Sequence, residues 1–208
     1  MNNLTVVDNP LVKRDITVLR NKDTRPADFR AALGRISYSI AVEISKNFQL
    51  NEIEVVTPLE TTIGYELQKQ VVLVPVLRAG LSMVNSFLDM IPEAKVGHIG
   101  LQRNEKTLMP EDYYYKTPKD IGSSVTIVLD PMLATGGSAA AAFKYLKERG
   151  AGESYLACLI AAPEGVKKMY DEHPDIKIYT AALDRELNEV GYIVPGLGDA
   201  GDRTFGTF

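Results

Sequence analysis

The sequence predicts an α/β fold, a parallel sheet flanked by helices. Two observations carry this. Short runs of Val, Leu and Ile alternate along the chain with segments of helical period, the order that builds strand–helix–strand units. The strand-like runs are apolar throughout instead of alternating with polar residues, as in strands covered on both faces.

Taken in order, Asp28 to Leu50 reads as a helix. Phe29, Leu33, Ile36, Ile40, Ile44 and Phe48 recur at spacings of three and four and mark one apolar face. Val71 to Leu77, Val- and Leu-rich with one Pro, reads as a buried strand, and Leu81 to Met90 as a helix stopped by Pro92. Ala94 to Leu101 reads as a further strand. Asn104 to Asp120 is polar with two prolines and reads as a long flexible loop, of a length that is usually functional or mobile. Val125 to Leu129 is a β-branched strand ending at Asp130. Ser138 to Arg149 is an alanine-rich helix with Lys and Arg in its last turns and Gly150 as its C-cap. Tyr155 to Ala161 is a strand, Pro163 to Glu172 a short helix opened by proline, and Ile176 to Ala182 a strand. The tail holds Gly191, Gly196, Gly198, Gly201 and Gly206 and reads as a shaped loop, not a core element.

Composition bounds the function. The 208 residues include 23 Lys and Arg against 27 Asp and Glu, a net charge of −4, with 45% apolar and 24% charged residues. These values exclude a disordered or collagen-like chain and suit one domain over 1–208. The longest apolar run, Leu156 to Ala162, is far short of the roughly 20 residues that span a bilayer. Met1 to Asp15 has no apolar segment of the secretory kind. The single cysteine, Cys158, excludes an internal disulfide and a cysteine-rich metal site. Mild acidity gives no reason to expect nucleic-acid or lipid binding. The expectation is a cytoplasmic protein with neither membrane nor nucleic acid as a partner.

The sharpest segment is Val125 to Gly150: strand, acidic residue, short loop, Thr-Gly-Gly-Ser, helix. Thr135 to Ser138 opens the helix, where free backbone N–H groups and the dipole attract an anion. Gly136 and Gly137 let the backbone wrap closely around a phosphate, and the two hydroxyls add donors. Asp130 stands at the carboxyl end of a parallel strand, where ligands bind in open α/β sheets and a carboxylate can accept hydrogen bonds from sugar hydroxyls. Neither a dinucleotide Gly-x-Gly-x-x-Gly nor a P-loop occurs. The plain alternative is a Gly-Gly turn before an ordinary helix.

Asp130-Pro131-Met132-Leu133-Ala134-Thr135-Gly136-Gly137-Ser138 resembles the phosphoribosyl-diphosphate (PRPP) signature of the type I phosphoribosyltransferases, in the form of their uracil-specific members. Most relatives place two acidic residues side by side here; Asp130 followed by Pro131 is typical of the uracil branch. Val76-Leu77-Arg78-Ala79-Gly80 resembles the pyrophosphate loop. Gly196-Leu197-Gly198-Asp199-Ala200-Gly201-Asp202-Arg203 resembles the uracil-binding C-terminal segment. Asn9 to Val12, Leu19-Arg20 and Thr57-Pro58-Leu59 also fit, so the resemblance covers essentially the whole chain.

The resemblance implies transfer of the 5-phosphoribosyl group of PRPP to N1 of uracil, giving UMP and pyrophosphate. It implies that Arg78 and Arg103 clamp the diphosphate and that Asp130 to Ser138 hold the ribose and 5′-phosphate. Ile193, Gly198, Asp199 and Ala200 would contact uracil under a small C-terminal hood. Asp199 would also face PRPP, through a Mg²⁺ carried mainly by the diphosphate. It further implies a homodimer or higher assembly, and GTP as an effector in some members. Arg103 sits in Leu101-Gln102-Arg103-Asn104, where relatives commonly read Leu-Tyr-Arg-Asp, which leaves loop closure open.

Each residue also has a plainer reading. Arg78 suits bidentate diphosphate binding or is a surface arginine at a strand end. Tyr113 to Tyr115 line a lid or pack and make subunit contact. Lys106 reaches pyrophosphate or is a free loop lysine. Cys158 reads as a core thiol. His98 and His173 have no ligand partners at metal spacing, and Ser82 and Ser138 have no adjacent base for a hydrolase triad. A regulator that binds nucleotide or RNA without catalysis is the alternative class, disfavoured by the lack of a basic face. Orotate as the base would call for a cation near the tail, which has none before Arg203.

Overall fold

The computed structural model describes residues 3–103 and 110–207, and of residues 101–103 and 110–114 the backbone alone. The chain opens with β1 (Leu4–Val6), α1 (Pro10–Arg20), α2 (Pro26–Ser45), β2 (Leu50–Val56), β3 (Thr61–Leu67) and β4 (Val71–Pro75). Next come α3 (Leu81–Met90), β5 (Lys95–Val96), β6 (His98–Arg103), β7 (Pro110–Lys116), a 3₁₀ turn, β8 (Val125–Leu129) and β9 (Met132–Leu133). It closes with α4 (Gly137–Glu148), β10 (Ser154–Ala161), α5 (Pro163–Glu172), β11 (Lys177–Leu183), β12 (Glu186–Leu187), β13 (Ile193–Val194) and α6 (Ala200–Phe205).

The central sheet runs β1-β11-β10-β8-β4-β5, with β9 also on β10, and its paired strands are parallel. Successive side chains on a strand point to opposite faces, and the core divides accordingly. Leu73, Ile127, Leu129, Ala157 and Leu159 pack with Leu19 of α1, Phe29, Leu33 and Ile36 of α2 and Phe87 of α3. Val72, Val74, Val128, Leu156 and Cys158 pack on the other face with Phe143 and Leu146 of α4 and Val166 and Met169 of α5. This two-sided burial is why the strands read as continuous apolar runs, and it bears out the expected fold class.

Several boundaries differ from expectation. The helix expected over 28–50 ends at Ser45, and Leu50 opens β2, half of an antiparallel hairpin with β3 that lies off the central sheet. The strand expected over 94–101 breaks at Gly97. Its N–H donates to Leu73 O at 2.8 Å, and a Cβ there would sit 2.8 Å from Thr117 Cγ2. Beyond it β6 keeps one parallel bridge, Ile99 to Val76 just past β4, and pairs along its length with β7. The loop expected over 104–120 therefore holds a strand, Pro110–Lys116; its three tyrosines suit a strand, but the partner comes from elsewhere in the fold. Tyr115 pairs with Ile99, packs on the core, and lies 4.1 Å from the Arg149 guanidinium, so it takes the packing reading. Lys106 and Asn104 lie outside the described residues, as do the side chains of Gln102, Arg103, Tyr113 and Tyr114.

The tail is also more ordered than expected. Asp199 caps α6 by accepting from the Asp202 N–H at 2.9 Å, and Ala200, Gly201, Arg203 and Thr204 are buried. Glycines shape the approach, but α6 packs on α2 as a core element.

Candidate active site

The carboxyl ends of β4 and β8 supply two loops side by side. After β4 the chain turns through Val76 to Gly80, with a cis Leu77–Arg78 peptide bond, into α3. Gly80 is needed there: a Cβ would stand 2.3 Å from Leu129 O and 2.7 Å from Val76 O. The glycine presses the Arg78 loop against the strand end that carries Asp130. Arg78 is exposed, and its guanidinium lies 3.6 Å from Asp202 Oδ1 of α6.

After β8, the Asp130 N–H donates to Ala157 O at 3.0 Å, and Asp130 Oδ1 accepts from the Met132 N–H at 3.4 Å. Burial raises the Asp130 carboxyl from an ordinary 3.8 to about 6, the Met132 bond working the other way. The folded protein therefore binds this proton more tightly than the unfolded chain does. That contribution to stability is full below pH 4 and is lost as pH rises through 6. Asp130→Asn is expected to stabilise the fold at pH 7.5 by about 1–3 kcal/mol. The gain vanishes at pH 4, and activity falls. Denaturant unfolding at the two pH values checks it; equal gains at both refute the assignment.

The next residues divide by direction. The Pro131 carbonyl accepts from Leu159 N–H and Ile160 N–H at 3.0 and 3.1 Å, and Leu133 is buried on β10, so these two hold the loop from below. Met132 and Ala134 face a pocket. Thr135 and Ser138 are exposed; the N-cap residue Gly136 carries no side chain, and the Gly137 N–H that opens α4 donates to Thr135 Oγ1 at 3.4 Å. Gly136 has φ 76°, and a Cβ on it would lie 2.9 Å from Gly165 O of α5.

The pocket, about 210 Å³, lies between these loops and the tail. Ala79, Met132 and Ala134 form one side; Gly191, Tyr192, Ile193, Gly198, Asp199, Ala200 and Gly201 form the other. It is below the roughly 300 Å³ at which common small-molecule pockets begin. The structure thus brings Met132, Ala134, Ile193, Gly198, Asp199 and Ala200 to one cavity and Arg78 to its neighbourhood, while the Arg103 side chain lies outside the described residues. Arg203 faces away. Its guanidinium donates to Leu19 O, Leu197 O and Asn21 O and stacks 4.6 Å from the Phe29 ring, so it supplies no cation to the pocket.

A uracil phosphoribosyltransferase family model matches residues 6–207. The uracil phosphoribosyltransferase of Acholeplasma laidlawii is 55% identical over 207 residues, all of both chains. The chain belongs to the uracil phosphoribosyltransferase family. The enzyme of that name from Salinibacter ruber is 52% identical over 100% of this chain and 99% of its own. Among solved structures, the AQ2163 protein of Aquifex aeolicus superposes with a TM-score of 0.90 at 35% identity, covering 97% of each chain. A hypoxanthine phosphoribosyltransferase from Trypanosoma cruzi shares the fold alone, with a TM-score of 0.53 at 11% identity over 76% of this chain and 75% of its own.

Sequence reasoning about this uracil phosphoribosyltransferase-family site missed Asp184, buried at the end of β11. The signal existed, since Asp184 follows an apolar strand as Asp130 does. Cys158 and His173 stay out of the chemistry. The Cys158 thiol is buried, pushed up to about 12 by burial, and donates to Tyr179 O. His173 is buried with Nε2 2.9 Å from Ala140 O. Among the described residues no group of three His, Cys, Asp or Glu side chains is placed to hold a metal ion, and no helix is long and apolar enough to cross a membrane.

Proposed function

We propose that this chain transfers the 5-phosphoribosyl group of PRPP to N1 of uracil, releasing pyrophosphate and forming UMP. The carrying observation is the small cavity at which Met132 and Ala134 of the Asp130–Ser138 loop meet the 191–201 segment beside Arg78. The α4 N-terminus, with Thr135 and Ser138, holds the 5′-phosphate. The Asp130 carboxylate takes the ribose hydroxyls. The flat base lies against Ile193 and reads backbone groups from Gly198 to Ala200, where small residues leave the edge accessible. Arg78 leaves Asp202 and binds the diphosphate, with Arg103 as the second clamp. As the C1–diphosphate bond breaks, the sugar becomes cationic and the leaving group gathers negative charge, so fixed positive groups favour the transition state over the ground state.

The carboxylates present suit a Mg²⁺ held chiefly by substrate oxygens: Asp199 lines the pocket, and its Oδ1 caps α6. When bound, the ion neutralises charge on the diphosphate. The test is an end-point assay with PRPP, Mg²⁺ and labelled uracil beside cytosine, orotate and hypoxanthine, with and without metal. UMP from uracil alone is the expected result; no product from any base, with PRPP still binding, moves the chain to the regulator class. The same assay with GTP reads the effector, and fractionation of cells reads the cytoplasmic location.

We also propose assembly with a second copy through the β2–β3 hairpin. Val56, Ile63 and Tyr65 are exposed on one face of it and Ile53 and Val55 on the other, leaving both faces without an apolar covering. Ile63→Glu is expected to shift the sedimenting species to a monomer; an unchanged assembly refutes this surface.

A further inference from the structure

We infer that Arg20 of α1 and Asp184 of β11 are positioning residues for the base half of the site. The inference rests on the proposed uracil reaction and names residues outside it. Arg20 donates through Nη1 to Asp184 Oδ2 at 2.8 Å and through Nη2 to Asp184 Oδ1 at 2.5 Å. The same pair grips the peptide units of Gly196. Asp184 Oδ2 accepts from the Gly196 N–H at 2.8 Å, and Arg20 Nη1 donates to Gly196 O at 2.9 Å. One residue later the Leu197 carbonyl is taken by Arg203, which also binds Leu19 O and Asn21 O at the end of α1.

Two successive carbonyls are thus pinned to α1 immediately before Gly198 to Gly201, which line the pocket. Gly196 has little freedom to absorb a shift, since a Cβ there would stand 2.1 Å from the carbonyl oxygen of pocket-lining Ile193. Backbone that reads a small flat base must be held in place, because it has no side-chain length with which to adapt. The phosphate-binding loop at Thr135 to Ser138 has separate supports on β10 and α5. Disturbing Arg20 or Asp184 therefore acts on the base and spares PRPP.

The test is steady-state kinetics of Arg20→Lys, Asp184→Asn and the double variant. The control is Arg35→Lys, which breaks an equally bidentate pair, on buried Asp15 of α1 from α2, away from the pocket. Uracil KM is expected to rise about 5–50-fold in each single variant. The KM for PRPP stays within about twofold, and the double variant is no worse than the singles. Arg35→Lys lowers the melting temperature and leaves both KM values in place. Arg20→Lys keeps the charge and stem, so it is decisive where Asp184→Asn does not fold. The inference is overturned if folded Arg20→Lys has an unchanged uracil KM, if both KM values rise together, or if Arg35→Lys raises uracil KM equally. A wild-type protein that does not use uracil overturns the reaction itself instead.

Discussion

Arg78→Ala is expected to lower kcat/KM for UMP formation by about 10²–10³-fold, the loss seen when one preorganised charge-stabilising donor is removed. Fold stability should not move measurably. The side chain is 65% exposed, and its ion pair among the described residues, to Asp202 at 3.6 Å, is a surface contact of small net value. The loss is thus one of transition-state stabilisation. Arg78→Lys keeps the charge but not the planar fork and should fall between the two. Steady-state kinetics with thermal melts reads both. An alanine variant retaining more than about a third of wild-type kcat/KM removes Arg78 from the diphosphate clamp.

Gly165→Ala is expected to cost nearly as much activity without touching any functional group. A Cβ on Gly165 would lie 2.4 Å from Ala134 O and 2.7 Å from Leu133 O, both backbone atoms of the phosphate loop. Gly136 is also close from the other side, 2.9 Å from Gly165 O if it carried a Cβ. Neither strand β9 nor α5 can give way without leaving β10 or the core. Destabilisation of about 1–3 kcal/mol is expected for this overpacking. PRPP KM should rise about 100-fold as the loop moves off its α4 seat. α5 also holds the hood, since Glu164 Oε1 accepts from the Leu187 N–H at 3.0 Å, so uracil KM rises too. Chemical denaturation and substrate titration check the pair of effects. Wild-type PRPP KM in a folded variant shows that the loop does not rest on Gly165.

Much of the fold was legible because the signals are local. Val71–Pro75, Val125–Leu129 and Ser154–Ala161 are apolar runs that only a doubly covered sheet can use, and Phe29 to Ile44 mark one helix face. Gly136 and Gly137 announce the tight turn into α4, since Gly136 has φ 76° and glycine takes that conformation without strain. The β6–β7 hairpin was not legible, since Tyr113 to Tyr115 become a strand only when His98–Arg103 arrives as partner. Tail glycines hid α6, a helix of six residues whose stability comes from Asp199 and from packing on α2, not from its own composition.

By itself the sequence determined the parallel α/β architecture, the Gly-Gly turn that leads from Asp130 into α4, the arginine after β4 and the glycine-shaped tail. Each is written in contiguous residues, because strand burial, helix period and turn chemistry act over a few positions. Only the tertiary structure decided that Arg203 serves the backbone of α1 instead of the pocket. It alone joined Arg20 to Asp184 across 164 positions of sequence and set Gly165 against Ala134. Contacts of that kind depend on where distant segments come to rest, and a bidentate ion pair or a missing Cβ has no signature until its partner is beside it.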